Sequence, residues 1–164
     1  MTRWRSTLAA LVAARHSREF PLSVYRAEPP ASLPWPQDLP SSEPIRDFFS
    51  LCDGGLMGSY RFASVSHLPA LNRKWLLAAA HRGPARAPVL LAGHHVVLGE
   101  EECDSPLVWH ADTDCMGVAW HNGLPFDSYN QSFEAFLDEL FTPRSLDLSS
   151  AWDRALRQLS NSAT

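Results

Sequence analysis

The residue types best suited to chemistry gather between positions 94 and 121: His94, His95, His110 and His121, with Asp112, Asp114 and Cys115 among them. Imidazole nitrogens and carboxylate oxygens are ligands for zinc, iron or manganese. Neighbouring strands bring side chains within about 4–5 Å of each other, close enough to share an ion. A metal-assisted enzyme using His94, His95, His110, His121 and Asp112 is therefore one reading. The spacings speak against it, because no HExxH, no HxH and no HxE with a later CxxC is present. Adjacent residues on a regular strand point to opposite faces, so His94 and His95 do not both turn to one ion. Scattered strand histidines, at the surface or hydrogen-bonded, are the plainer reading, and no cofactor is expected.

Nucleophilic chemistry has less support. There is no GxSxG elbow. Cys52 falls on the apolar side of a helical pattern, where a thiolate is disfavoured. Cys115 follows Asp114, and a neighbouring carboxylate raises a thiol pKa, the wrong direction for a nucleophile. Gly54-Gly55 follows a helical segment instead of opening one, so it reads as a helix C-cap and not as a phosphate loop.

The acidic run Glu100, Glu101, Glu102 and Asp104 has two readings. The bland one is a solvated turn between strands. The functional one is a negative surface, extended by Asp112, Asp114 and Asp127, that meets a basic protein partner and speeds encounter. Trp35, in Leu33-Pro34-Trp35-Pro36, is expected to pack the proline-rich segment onto the body; an exposed interface aromatic is its other reading.

The elements that must position these groups follow from hydrophobic period. Residues 3–16 read as a helix on Trp4, Leu8, Leu11 and Val12. A proline-rich connection follows, anchored by Phe20, Val24, Tyr25 and Trp35. A second helix, capped by Ser41 or Ser42 with Pro44 in its first turn, carries Ile45, Phe48, Phe49 and Cys52. Tyr60, Phe62 and Ser64 alternate as a strand. Pro69 opens a short helix with Leu71, Trp75, Leu76 and Ala79, stopped by Gly83-Pro84. Short β-prone runs at 88–92, 95–98, 106–110 and 115–121 suggest an antiparallel meander. A loop over 123–130 leads to an amphipathic helix on Phe133, Phe136, Leu137, Leu140 and Phe141. A last helix is expected over 148–159, on Leu148, Trp152, Ala155, Leu156 and Leu159. The fold class is thus α+β, with about four to six short, mainly antiparallel strands packed against helices.

The 164 residues suit one domain with a core of its own. Charged residues make up 20% and the net charge is −4, without the clustered basic face that nucleic acid requires. Apolar runs are too short for a membrane span. The charged segment from Arg15 to Glu19 directly after the first apolar stretch reads as a helix end, not a signal peptide. Three cysteines without a CxxC pair read as reduced thiols of a cytoplasmic protein. Lys74 is the only lysine and Ile45 the only isoleucine, the bias of a GC-rich bacterial genome such as an actinobacterium's.

The order of these elements resembles the SUKH superfamily, also called the SMI1/KNR4 family. Its "LP…F…NGG"-like first segment corresponds to LPSSEPIRDFFSLCDGG from Leu39, and its "SFEEFL"-like closing helix to SFEAFLDEL from Ser132. Asp53 stands where the family commonly has Asn. The resemblance covers about residues 38–141, leaving 1–37 and 142–164 as terminal additions to the same domain. It implies a non-catalytic binding module. Bacterial members are mostly thought to be immunity proteins that bind and block a cognate toxin, often a nuclease, and fungal relatives are signalling scaffolds. The expected partner is therefore a protein, and no residue is carried over as catalytic. An accessory protein of a bacterial operon is the further alternative.

Overall fold

Helices stand where apolar residues recur with a 3.6-residue period, and in three of the four described helices that stripe is buried. A computed structural model describes residues 3–14, 25–81, 90, 93–119, 126–142, 154, 156 and 157. Helix α1 (Arg3–Ala13) buries Trp4, Leu8, Leu11 and Val12. Helix α2 (Glu43–Leu51) buries Ile45, Phe48 and Phe49. Helix α3 spans Leu68–His81. Helix α4 (Phe133–Leu140) buries Phe133, Phe136 and Leu137, and is capped by Ser132, whose hydroxyl accepts from the Ala135 amide at 3.1 Å. Ser42 holds the N-cap position of α2 without a side-chain cap bond. Arg154, Leu156 and Arg157 have helical backbone; the rest of the expected last helix, and the Gly83-Pro84 stop, lie outside the described residues.

The strands are β1 (Tyr25–Ala27), β2 (Gly55–Met57), β3 (Tyr60–Phe62), β4 (His95–Glu101), β5 (Pro106–His110), β6 (Cys115–Ala119) and β7 (Phe126–Ser128). They form one sheet in chain order, every neighbouring pair antiparallel. The class is α+β as expected, with seven strands instead of four to six. The three unforeseen strands, β1, β2 and β7, are each three residues long, too short for an alternating pattern to register. Of residues 88–92, expected to form a strand, only Leu90 is described; it is buried but outside the sheet.

The expected role of Gly54-Gly55 as a helix C-cap is corrected. Helix α2 ends at Leu51, and Cys52 is already extended at φ −153°. Gly54 and Gly55, at φ +82° and +118°, turn the chain into β2 against two neighbouring strands. A Cβ on Gly54 would sit 2.6 Å from the Ala63 carbonyl oxygen, and one on Gly55 would sit 1.9 Å from that of Arg26. Asp53 holds the same junction, its Oδ1 accepting from the Val65 amide at 2.7 Å.

Both faces of the sheet are covered. Helices α1, α2 and α4 share one core with Val96, Leu98, Leu107, Trp109, Met116 and Val118, and Leu156 joins it. The first helix and Leu156 therefore pack with the segment 38–141. Arg5 ties the three helices together: it donates to Asp47 Oδ2 from Nη2 at 2.7 Å and to Glu134 Oε1 from Nη1 at 3.0 Å. The other face carries Val97, Val108 and Ala119 under Leu71, Trp75 and Leu76 of α3, with Leu90 and Phe126.

Asn72 joins α3 to the sheet. Strand β3 ends at Phe62, opposite Gly99, so the lower half of β4 lacks a strand on that side. The Asn72 amide takes the missing strand's place: Oδ1 accepts from the Val97 N–H at 2.8 Å, and Nδ2 donates to the Val97 carbonyl at 2.9 Å. Its second amide proton serves Leu68 O at 2.9 Å, within α3 itself. Asn72→Leu fills the volume but orphans both backbone groups of Val97. Such buried groups cost about 1–3 kcal/mol each, so a loss of about 2–6 kcal/mol in a denaturant titration is expected. A loss below about 1 kcal/mol would show that water replaces the amide.

Candidate functional site

The acidic run is built into the β4–β5 hairpin. Glu100 and Glu101 end β4, and their side chains part to opposite faces of the sheet. Glu100 accepts from Lys74 Nζ of α3 at 3.3 Å. Glu101 is the cross-strand partner of Tyr60, and its Oε2 is buried without a hydrogen-bond partner. Glu102, Cys103 and Asp104 form the exposed tip. Asp104 sits at φ 57°, a left-handed position that aspartate tolerates better than most residues. The tip is held by Glu101 N donating to Ser105 O at 2.8 Å and Asp104 N to Glu101 O at 2.8 Å. Glu102 N donates to Ser59 O at 3.0 Å, tying it to the β2–β3 turn.

Asp112 and Asp114 do not extend this surface. They lie in the β5–β6 turn, beyond His110, whereas the acidic tip lies beyond Pro106 at the other end of β5. At strand rise the two ends of β5 are roughly 14 Å apart. Asp114 is also engaged, accepting from Trp109 Nε1 at 2.8 Å, which fixes that core indole. Asp127, on the edge strand β7, pairs with Val118 of β6.

The histidines divide in two. His94 Nδ1 and Asp112 Oδ2 are 2.5 Å apart, in the exposed turns at the end of β4 and β5. His95 and His110 face each other across those strands, rings edge to face at 4.4 Å, with Phe126 beside them at 6.0 and 6.4 Å. His121 lies outside the described residues. Among the described residues no three His, Cys, Asp or Glu side chains are grouped to hold a metal ion. The His94 contact holds the Asp112 carboxyl below the ordinary carboxylate range, chiefly by the hydrogen bond and then by charge. A carboxyl depressed in the folded state stabilises that pairing above its ordinary pKa and loses the effect as pH falls. A carbon-detected NMR titration is expected to show the Asp112 midpoint rising toward the ordinary value in His94→Ala; an unchanged midpoint would refute the pairing.

The thiols sort by exposure. Cys52 is buried, donates to Gly54 O at 2.9 Å, and its pKa is pushed up to about 12, mainly by burial. Cys103 is exposed on the acidic tip and Cys115 is half-buried. Iodoacetamide at pH 8 is expected to alkylate Cys103 first and to spare Cys52 until the protein is unfolded, as read by mass spectrometry of peptides. Early labelling of Cys52 would contradict the packing.

Two of the clefts lined by the described residues combine apolar walls with polar groups. One, of about 400 Å³, lies between the Pro36–Leu39 segment and α3, lined by Leu39, Pro69, Leu76, Leu77 and His95 among others. Trp35 beside that segment packs on Phe49 at 5.3 Å and donates from Nε1 to Leu39 O at 2.8 Å, anchoring the chain as expected. The other, of about 360 Å³, is lined by Tyr60, Tyr129, Gln131, Phe136, Glu139 and Leu140. Tyr60 and Tyr129 flank opposite ends of a stretch of sheet that, laid flat, separates β3 from β7 by roughly 19 Å. Their hydroxyls nevertheless meet at 3.4 Å, so the sheet curls around α4. No sequence spacing joins a strand tyrosine to a loop tyrosine this distant in the chain, and the cleft was not foreseen.

Comparison of the chain with protein-family models, with curated proteins and with solved structures finds no match.

Proposed function

We propose that the chain is a non-catalytic protein-binding module of SUKH type, an immunity protein that binds and neutralises a cognate bacterial toxin in the cytoplasm. The observation that carries this reading is the acidic β4–β5 tip. Glu102 and Asp104 project into solvent from a turn whose backbone is fastened by three hydrogen bonds, one of them to the neighbouring β2–β3 turn. Charges held this way lose little freedom on association, and they present a fixed negative potential to a basic surface such as that of a nuclease.

The order of elements supports the same reading. The Leu39-Pro40 segment leads into α2 and the Asp53-Gly54-Gly55 junction. The strands and α3 follow, and the Ser132-capped α4 closes the unit, as in the family resemblance. The Asp53 contact to Val65 gives the acidic residue before the glycine pair a structural purpose, one that an asparagine side-chain oxygen would serve equally.

Co-expression with the toxin encoded beside the gene is the direct test: rescue of growth and a co-purifying complex are expected, and failure of both would overturn the assignment. In that complex, Glu102→Lys with Asp104→Lys is expected to slow association about tenfold at low salt and to flatten its salt dependence. Dissociation should change less, because exposed charges act mainly on encounter. Stopped-flow association rates read this, and an unchanged rate would move the interface elsewhere.

A further inference from the structure

The cleft between β3, the segment after β7 and α4 joins aromatic faces to a negative potential. Phe136 stands at its base, buried, with Tyr60 edge-on at 5.1 Å and Tyr129 stacked nearly parallel at 5.9 Å. Glu139 is on the rim, oriented by Gln131, whose Nε2 donates to its Oε2 at 2.5 Å. Glu101 stands beside Tyr60 with one carboxylate oxygen buried and unsatisfied, an arrangement that is costly unless a donor completes it. None of the described residues lining the cleft is cationic. Burial first, then the Tyr60 hydroxyl, then the charges of Glu101 and Asp127 hold the Tyr129 phenol far above its ordinary pKa, so these carboxylates are felt inside the cleft.

Aromatic faces attract cations through their quadrupole, and do so more strongly where water is partly excluded. An ammonium is a compact, strongly hydrated point charge. A guanidinium is planar and weakly hydrated, stacks on rings and reaches carboxylates with a fork of donors. A cleft of about 360 Å³ takes a long side chain, not a headgroup alone. Glu101 also begins the turn that carries the acidic tip, and Glu102 N is bonded to Ser59, the neighbour of the cleft residue Tyr60, so the tip and the cleft adjoin.

We propose that this cleft receives an arginine side chain of the protein partner, stacked on the Tyr129 ring and drawn in by the negative charge of Glu139 and Glu101. This deepens the protein-binding reading and rests on it for the source of the arginine; the guanidinium site itself is tested without the partner. L-Argininamide is titrated into the full-length protein and followed by NMR of ring protons. Citrullinamide serves as the uncharged isostere and lysinamide as the ammonium. Saturable shifts at Tyr60, Tyr129 and Phe136, with a dissociation constant of about 1–10 mM, are expected for argininamide. Citrullinamide, and argininamide with Glu101→Gln, are expected to bind at least tenfold more weakly. Glu139→Gln, on the exposed rim, provides a second charge removal independent of any packing role of Glu101. Shifts elsewhere only, equal binding of citrullinamide, tighter binding of lysinamide, or full affinity in both variants would each overturn the site. Argininamide binding without toxin rescue would leave the site standing and remove the immunity reading; rescue without argininamide binding would remove the site alone.

Discussion

The bond pair between Asn72 and Val97 holds the two halves of the molecule in register. An antiparallel sheet can leave one face in water, but the backbone groups of its central strands need partners along their whole length. Strand β4 is central, yet its lower half has a strand on one side only. Asn72 supplies the other side from α3, so one side chain both completes the ladder and fixes where the helix lies. With α3 docked there, Val97, Val108 and Ala119 become interior residues, and the sheet is buried on two faces instead of one. Arg5 does the corresponding work on the opposite layer, where its guanidinium bridges α2 and α4 from the start of α1.

What β4 presents to solvent follows from an irregularity in that same strand. The pairing with β5 shifts between Val97 and Gly99, so Leu98 is an extra residue. Strict alternation from His95 would put Glu101 on the α3 face along with it. The bulge reverses the alternation, so His95 faces α3 and Glu101 faces the helical layer beside Tyr60, while Glu100 meets Lys74 on α3. The acidic run is therefore three things in space: an ion pair on one face, a half-buried carboxylate on the other, and an exposed tip. The tip is the exposed charged surface, and Glu101 is the member of the run paired with Tyr60, a residue that lines the aromatic cleft.

Curvature places the tyrosines. A flat sheet would leave Tyr60 and Tyr129 far apart, and their contact over Phe136 exists because the sheet coils around α4. His94, His95 and His110 stand at the other end of β4 and β5. There they pair with Asp112 or with each other, away from the acidic tip.

By itself the sequence determined the helices α1, α2 and α4 and the antiparallel meander of β4 to β6, because the apolar residues of Trp4 to Val12, Ile45 to Cys52 and Phe133 to Phe141 recur at helical spacing over two turns or more. It also favoured Trp35 as the anchor of the proline segment and put Glu102 and Asp104 in a turn. Only the tertiary structure decided that Gly54-Gly55 enters a strand, that β1, β2 and β7 exist, and that Asp112 and Asp114 stand apart from the acidic tip. It alone decided that Glu101 shares a cleft's surroundings with Tyr60, Tyr129 and Phe136. Each of these depends on a single bulge, a close backbone approach or the curl of the sheet. Such features are set by packing between segments distant in the chain, and they leave no period along it.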